Sequence, residues 1–116
     1  MTSPTIDSPQ FVEKDDFTGM IVDDTGTIAA REYHTDHVTA DGTKQRALTS
    51  TVTEEAYRGQ GLAGKIVQYT IDKALDDGYR IVAVCSYVQS WFEKQDDPRY
   101  EQARDTAQPK HFPKED

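Results

Sequence analysis

The stretch Tyr57-Arg58-Gly59-Gln60-Gly61-Leu62-Ala63-Gly64-Lys65 places three glycines and an alanine within six positions, directly ahead of an amphipathic run. Glycine inside a helix costs roughly 1 kcal/mol relative to alanine, so a helix that opens on glycine gains something else from it. Leu62, Ala63, Ile66, Val67, Thr70, Ile71, Ala74 and Leu75 recur at spacings of three and four. That pattern is one face of a helix about four turns long. Asp72, Lys73, Asp76 and Asp77 occupy much of the opposite face, and Gly78 falls where a helix commonly stops.

Around this helix the chain reads as strands. "FTGMIV" (17–22) is a short strand closed by the turn signal "DDTG", and "TIAAREYHT" (27–35) pairs with it as a hairpin. "DHVTADGTK" (36–44) reads as a polar loop with an Asp-Gly turn, and "QRALTSTVT" (45–53) as a third, alternating strand. Short links between the three predict an antiparallel meander. "RIVAVCSYV" (80–88) contains a continuous apolar run, as in a strand covered on both faces. Ser86 then caps a second helix in a capping box with Gln89, Val88, Trp91 and Phe92 give it an apolar stripe, and "DDP" (96–98) ends it. The expected fold is mixed α/β, a mostly antiparallel sheet in the order β-β-β-α-β-α. Residues 1–10 read as a flexible tail, 11–100 as the domain, and 101–116 as a polar tail, frayed helix at most.

At 116 residues and a formal net charge of −8, one domain is the limit and phosphate neutralisation starts at a disadvantage, so nucleic acid is not an expected partner. The same sign attracts cationic substrates such as amines. The single cysteine, Cys85, excludes an internal disulfide framework. With no apolar span and no secretory pattern at the N-terminus, a cytoplasmic location and no membrane partner are expected. Oligomeric state is not legible. His34, Asp36, His37 and Asp41 sit on a strand end and a loop, a spacing that does not gather ligands as a helix would, and no metal is expected.

A strand that runs into a glycine-rich turn and then a helix builds an anion site. The first N–H groups of the helix lack partners, the dipole is positive there, and glycines let an anion approach. Arg58 and Lys65 add local positive charge. No Gly-Lys-Ser/Thr closes a P-loop. Gly59, Gly61 and Gly64 have G-x-G-x-x-G spacing, but no βαβ unit is expected around them. The alternative is that these glycines only allow a tight turn.

Arg58-Gly59-Gln60-Gly61-Leu62-Ala63 resembles the Arg/Gln-x-x-Gly-x-Gly/Ala signature of the GNAT superfamily of acetyl-CoA-dependent N-acetyltransferases. Cys85-Ser86-Tyr87-Val88, with the later Pro98-x-Tyr100, is similar to the minimal single-domain branch of the YjdJ type. The resemblance implies a minimal GNAT-like fold, acetyl-CoA as the acyl donor, and an amine acceptor. It implies that Arg58, Gly59, Gln60, Gly61, Leu62, Ala63, Gly64 and Lys65 surround the pyrophosphate of coenzyme A, and that Val52 and Thr53 on the preceding strand meet its pantetheine arm. The branch carries a histidine on that strand where this chain has Ser50-Thr51-Val52-Thr53.

Direct attack by an amine in a ternary complex needs a proton acceptor, a polarised carbonyl and a proton for the departing thiolate. An amide near Val52 serves the carbonyl. Tyr87 is the expected proton donor, with simple packing at a helix start as its other reading. Glu54, beside Glu55, is the expected base, with a solvated carboxylate as its other reading. Cys85 is either a thiol activated at a helix start or a small core residue. Three function classes follow: an N-acetyltransferase, a non-catalytic acyl-CoA-binding module that has lost the branch histidine, and a protein-interaction domain without ligand.

Overall fold

The computed structural model describes residues 3–112. Its elements run β1 (Gln10–Glu13), β2 (Phe17–Ile21), β3 (Ala30–Val38), β4 (Lys44–Thr53), α1 (Leu62–Asp76), β5 (Arg80–Ala83), α2 (Ser86–Glu93), α3 (Pro98–Ala103) and β6 (Arg104–Asp105), with short 3-10 turns at Glu55–Tyr57 and Pro109–His111. The strands lie in one sheet in chain order. β1 to β4 are antiparallel neighbours, while β5 runs parallel to β4 and β6 parallel to β5. The mixed, mostly antiparallel sheet is as expected; β1, α3 and β6 are additions that short polar segments did not announce.

The antiparallel part follows from alternation. Met20, Ala30 and Leu48 turn to one face and meet Leu62, Ile66, Val67 and Ile71 of α1 in the buried core. β3 continues to Val38 through residues expected to be loop. Asp36 is a poor strand former, but it accepts two hydrogen bonds from Arg46 across the ladder, from Nε at 2.8 Å and Nη2 at 2.9 Å. The Arg46 guanidinium in turn lies over the Tyr79 ring, 4.3 Å from its centroid. Cross-strand pairing of this kind overrides a local propensity.

α1 carries the chain back along the sheet, so β5 starts level with β4 and pairs with it in parallel, Gln45 opposite Arg80 and Leu48 opposite Ala83. β4–α1–β5 is therefore a βαβ crossover, which corrects the expectation that none surrounds the glycine turn. The cause is the length of the helix: 15 residues at about 1.5 Å each span the sheet and permit only a parallel return.

β5 is shorter than its apolar run. In β4 the register slips, with His34 opposite Leu48 but Tyr33 opposite Ser50, so Thr49 is a bulged residue. Beyond it β4 bends away, and the N–H groups of Val84 and Cys85 both converge on the Leu48 carbonyl, at 3.1 and 3.0 Å. α2 then starts at Ser86 with Cys85 in the N-cap position. The expected Ser86–Gln89 capping box is not formed: Gln89 donates from Nε2 to the Ala83 carbonyl at 3.0 Å, tying the helix to the end of β5 instead.

Asp97 accepts from the Arg99 amide at 2.9 Å and caps α3, and the Tyr100 hydroxyl donates to Asp72 on α1 at 2.8 Å. The segment expected as a polar tail from 101 is packed as far as it is described. β6 joins the sheet, and the buried His111 ring pairs through Nε2 with Gln45 Oε1 at 2.9 Å while Nδ1 accepts from the Gln108 amide. Polar groups hold this segment, so hydropathy could not reveal it. Of the N-terminal segment, Ile6 packs against the core and its carbonyl accepts from Lys65 Nζ at 3.0 Å. The remaining tail residues, 1–2 and 113–116, lie outside the described residues.

Candidate functional site

Past the bulge at Thr49, β4 runs on to Thr53 while β5 ends at Ala83, opposite Leu48, and gives way to α2; the wedge is the space between that length of β4 and the β5–α2 junction. Which backbone groups line it follows from the ladder. The Glu54 amide donates to the Ala29 carbonyl at 2.8 Å, and antiparallel pairs alternate, so Val52 bonds to Arg31 of β3. Thr51 and Thr53 consequently turn their N–H and C=O groups to the open side, where Arg58 Nε approaches the Thr53 carbonyl at 3.4 Å. The strand edge facing the wedge therefore belongs to Thr51 and Thr53, and the amide expected at Val52 is used within the sheet. The Val52 side chain is exposed.

The wedge leads to the glycine turn. Gly59 and Gly61 have φ of +82° and +76°, and a Cβ on either would meet nothing within 4 Å. The turn is open to solvent, its glycines are required by the backbone, and the start of α1 has no side-chain cap. These are the conditions for an anion on main-chain amides. Arg58 and Gln60 are exposed beside it, whereas Leu62 is buried in the core and supplies only its backbone. Ala63 and Gly64 are half-buried, and Lys65 turns away to Ile6 and to Asp7, 4.0 Å from its carboxylate. Arg58 is thus the cation nearest the wedge edge among the residues expected to serve the turn.

At the other wall the Tyr87 hydroxyl lies 3.5 Å from where a Cβ of Gly64 would stand, so Tyr87 reaches from α2 to the first turn of α1. Its side chain is 43% exposed, available to a bound molecule and not buried in packing. Cys85 is half-buried, with Sγ 3.6 Å from Thr51 Oγ1. Burial acts to raise its pKa, but the amides of Val88, Tyr87 and Thr51 and the Thr51 hydroxyl surround the sulfur and bring it below the ordinary thiol value. No side-chain cap hydrogen bond closes; the effect is that of the helix start on a nearby sulfur.

Glu54 is not part of this group. Its side chain lies on the opposite face of β4 from Thr51 and is held by Arg31 at 2.7 Å. The acid nearest this group is one the sequence did not single out: Glu32, fully buried on β3 behind Thr51, which accepts a hydrogen bond from Thr51 Oγ1 through Oε1. Among the described residues its Oε2 has no hydrogen-bond partner. Burial pushes its pKa up to about 9, against the lowering effect of the Thr51 hydroxyl. Ala30, Glu32 and His34 share a face, but so do Arg31, Tyr33 and Thr35, and neither set is apolar enough to mark the inner face in advance. His34 and His37 fall on opposite faces, His34 buried beneath α1 and His37 edge-on to His111 at 4.9 Å. Among the described residues no cluster of three metal-binding side chains forms, and no helix is long and apolar enough to cross a membrane.

With this geometry in view, residues 19–103 match the family model described as GCN5-related N-acetyl-transferase, and the chain belongs to that family. No curated protein sequence matches it. Among solved structures it is similar to the ribosomal-protein-alanine N-acetyltransferase from Brucella melitensis biovar Abortus 2308, at 20% identity and a TM-score of 0.52 over 79% of this chain and 66% of that one. An integron cassette protein from the mobile metagenome of Cole Harbour Salt Marsh gives 16% identity and a TM-score of 0.53 over 73% and 57%. An aminoglycoside acetyltransferase from an uncultured soil metagenomic sample gives 14% identity and 0.47 over 60% and 46%. At these identities the likeness is one of fold, and the chain spans roughly half to two-thirds of the length of these structures.

Proposed function

We propose that the chain is an acetyl-CoA-dependent N-acetyltransferase that passes an acetyl group to a primary amine by direct attack in a ternary complex. The observation that carries this reading is the continuity of the wedge: a strand edge at Thr51 and Thr53 that pairs with no other strand leads straight to a glycine turn where a Cβ on Gly59 or Gly61 would meet nothing within 4 Å. An extended amide-bearing arm fits the first, and a diphosphate fits the second. Coenzyme A has these two parts in that order, and when bound it supplies the acetyl group as a reactive thioester. The amides of Gly59 to Gly64, with Arg58, hold the diphosphate. The N–H of Thr53 pairs with the arm and polarises a carbonyl placed against it.

Tyr87 gives a proton at the mouth of the wedge. An alkylamine has a pKa near 10.4, so about 0.1% or less of it is neutral at pH 7 and a proton acceptor in the wedge speeds attack. Membership of the YjdJ-type branch rests on Cys85 to Val88 and on Pro98-x-Tyr100. Calorimetry with coenzyme A, followed by acetylation assays on small amines, polyamines and lysine peptides, tests the proposal. Absence of binding refutes it; binding with no acetylated product in any acceptor class leaves the acyl-CoA-binding module in its place.

A further inference from the structure

The buried acid behind Thr51 has no role in what precedes. We propose that Glu32 and Cys85 share one proton through the Thr51 hydroxyl, Glu32 acting as a positioning residue that holds the proton while Cys85 stands as a thiolate facing the wedge. Its relevance to catalysis rests on the acyl-transfer reading of that wedge; the proton sharing itself does not.

The argument is one of place. Thr51 Oγ1 donates to Glu32 Oε1 and lies 3.6 Å from Cys85 Sγ, so a single hydroxyl touches both acids. Glu32 is 0% exposed and its second oxygen is unpartnered. An ionised carboxylate there keeps one good hydrogen bond and loses its hydration, which is costly; a neutral carboxylic acid is not. Cys85 is half-buried and lies where the dipole of α2 favours a negative charge. The negative charge is therefore better placed on sulfur than on the carboxylate.

The groups around Glu32 do not alter this. Thr18 faces it from β2, Thr51 and the Ser50 amide from β4 and Cys85 from the β5–α2 junction, with His34 two residues along its own strand; the Ser50 amide, like the Thr51 hydroxyl, favours the ionised form but does not outweigh burial. The inner face of α1 brings Leu62, Ile66, Val67 and Thr70, none of them ionisable near neutral pH. Among the described residues no cation neutralises the carboxylate. The transfer is balanced: the S–H proton moves to Thr51 Oγ1 as the proton of that hydroxyl moves to Glu32 Oε1. The pair keeps one proton and one negative charge, and the second proton leaves only in alkali, as coupled acids do. In the wedge this leaves a thiolate able to accept a proton from an entering ammonium group.

Cys85 is the only cysteine, so alkylation by iodoacetamide reads it alone in the full chain without any acyl donor. The expected rate profile has two rises: one below the ordinary thiol range, and a second near pH 9 as Glu32 ionises beside the thiolate. The second is worth about threefold for each unit by which the added charge raises sulfur basicity. Glu32→Gln, which mimics the neutral acid, keeps the first rise and loses the second. Thr51→Val moves the first rise upward and slows alkylation at pH 7 roughly tenfold, whereas Thr51→Ser behaves as the parent does. A two-step profile in Glu32→Gln, or an unshifted profile in Thr51→Val, overturns the proposal. Should Glu32→Gln misfold, the Thr51 pair decides alone. Coenzyme A titrations on the same proteins separate the two readings, because failure of the parent to bind removes the acyltransferase and leaves the thiol profile standing.

Discussion

Gly61→Ala tests the glycine turn most directly, because its two consequences are separable. Gly61 has φ of +76°, and alanine in that left-handed region costs about 1–2 kcal/mol. For a domain of this size each kcal/mol lowers Tm by about 5 °C, so a fall of roughly 5–10 °C is expected. A native domain has about 5–15 kcal/mol of stability, so at least about 3 kcal/mol remains and the variant stays folded at 25 °C. The added methyl group meets no protein atom within 4 Å; it projects into the space assigned to the diphosphate. Losing one charge-assisted amide contact costs about 1.5–3 kcal/mol, which is about ten- to a hundredfold in the Kd for coenzyme A. Gly42→Ala is the matched control. It has φ of +87° and equally empty surroundings, but it sits in the turn at the far end of β4. Thermal melts and calorimetry on both proteins should give similar Tm losses and a binding loss in Gly61→Ala only. Equal coenzyme A affinity in the two variants refutes the amide cradle, and an unchanged Tm in both refutes the backbone argument.

Tyr87→Phe should lower kcat about a hundredfold and leave coenzyme A affinity nearly unchanged if the hydroxyl serves, as proposed, to donate a proton and not to anchor the ligand; a parallel loss of binding would make it an anchor. Glu32 makes stability fall with pH: its folded pKa of about 9 exceeds the unfolded 4.5, so its favourable contribution is complete below 4.5 and is lost as pH rises toward 9. At pH 7 that loss is roughly 3 kcal/mol at about 1.36 kcal/mol per unit, so Glu32→Gln should melt above the parent at pH 7 and level with it at pH 4. His111 acts in the opposite sense. Burial lowers its pKa from 6.5, so its contribution is present above that value and is lost as pH falls through the folded pKa; His111→Gln should flatten the acid limb of the melting curve.

The elements legible in the sequence were those decided by neighbours in the chain. The face of α1 is written in residues three and four apart, and helix periodicity needs no distant partner to be read. The glycine turn was equally clear, because positive φ is a local demand that few residues other than glycine meet. Cys85 and Tyr87 were singled out on the Cys-Ser-Tyr-Val segment, and the fold sets both at the wedge with Thr51.

What tertiary structure decided was which side of each strand matters. Thr49 is an ordinary strand residue until β3 pairs across it and leaves it without a partner, and past that slip the wedge begins. Glu32 and Glu54 are both glutamates near strand residues, yet one is buried against Thr51 and the other is held outside by Arg31. The packed segment at 101–112 likewise exists because Gln45, more than fifty residues earlier in the chain, offers its amide to Asp105 and His111. A strand's period of two names its faces without saying which one is covered, and polar contacts between distant residues leave no periodic trace; only the assembled sheet and helix resolve both.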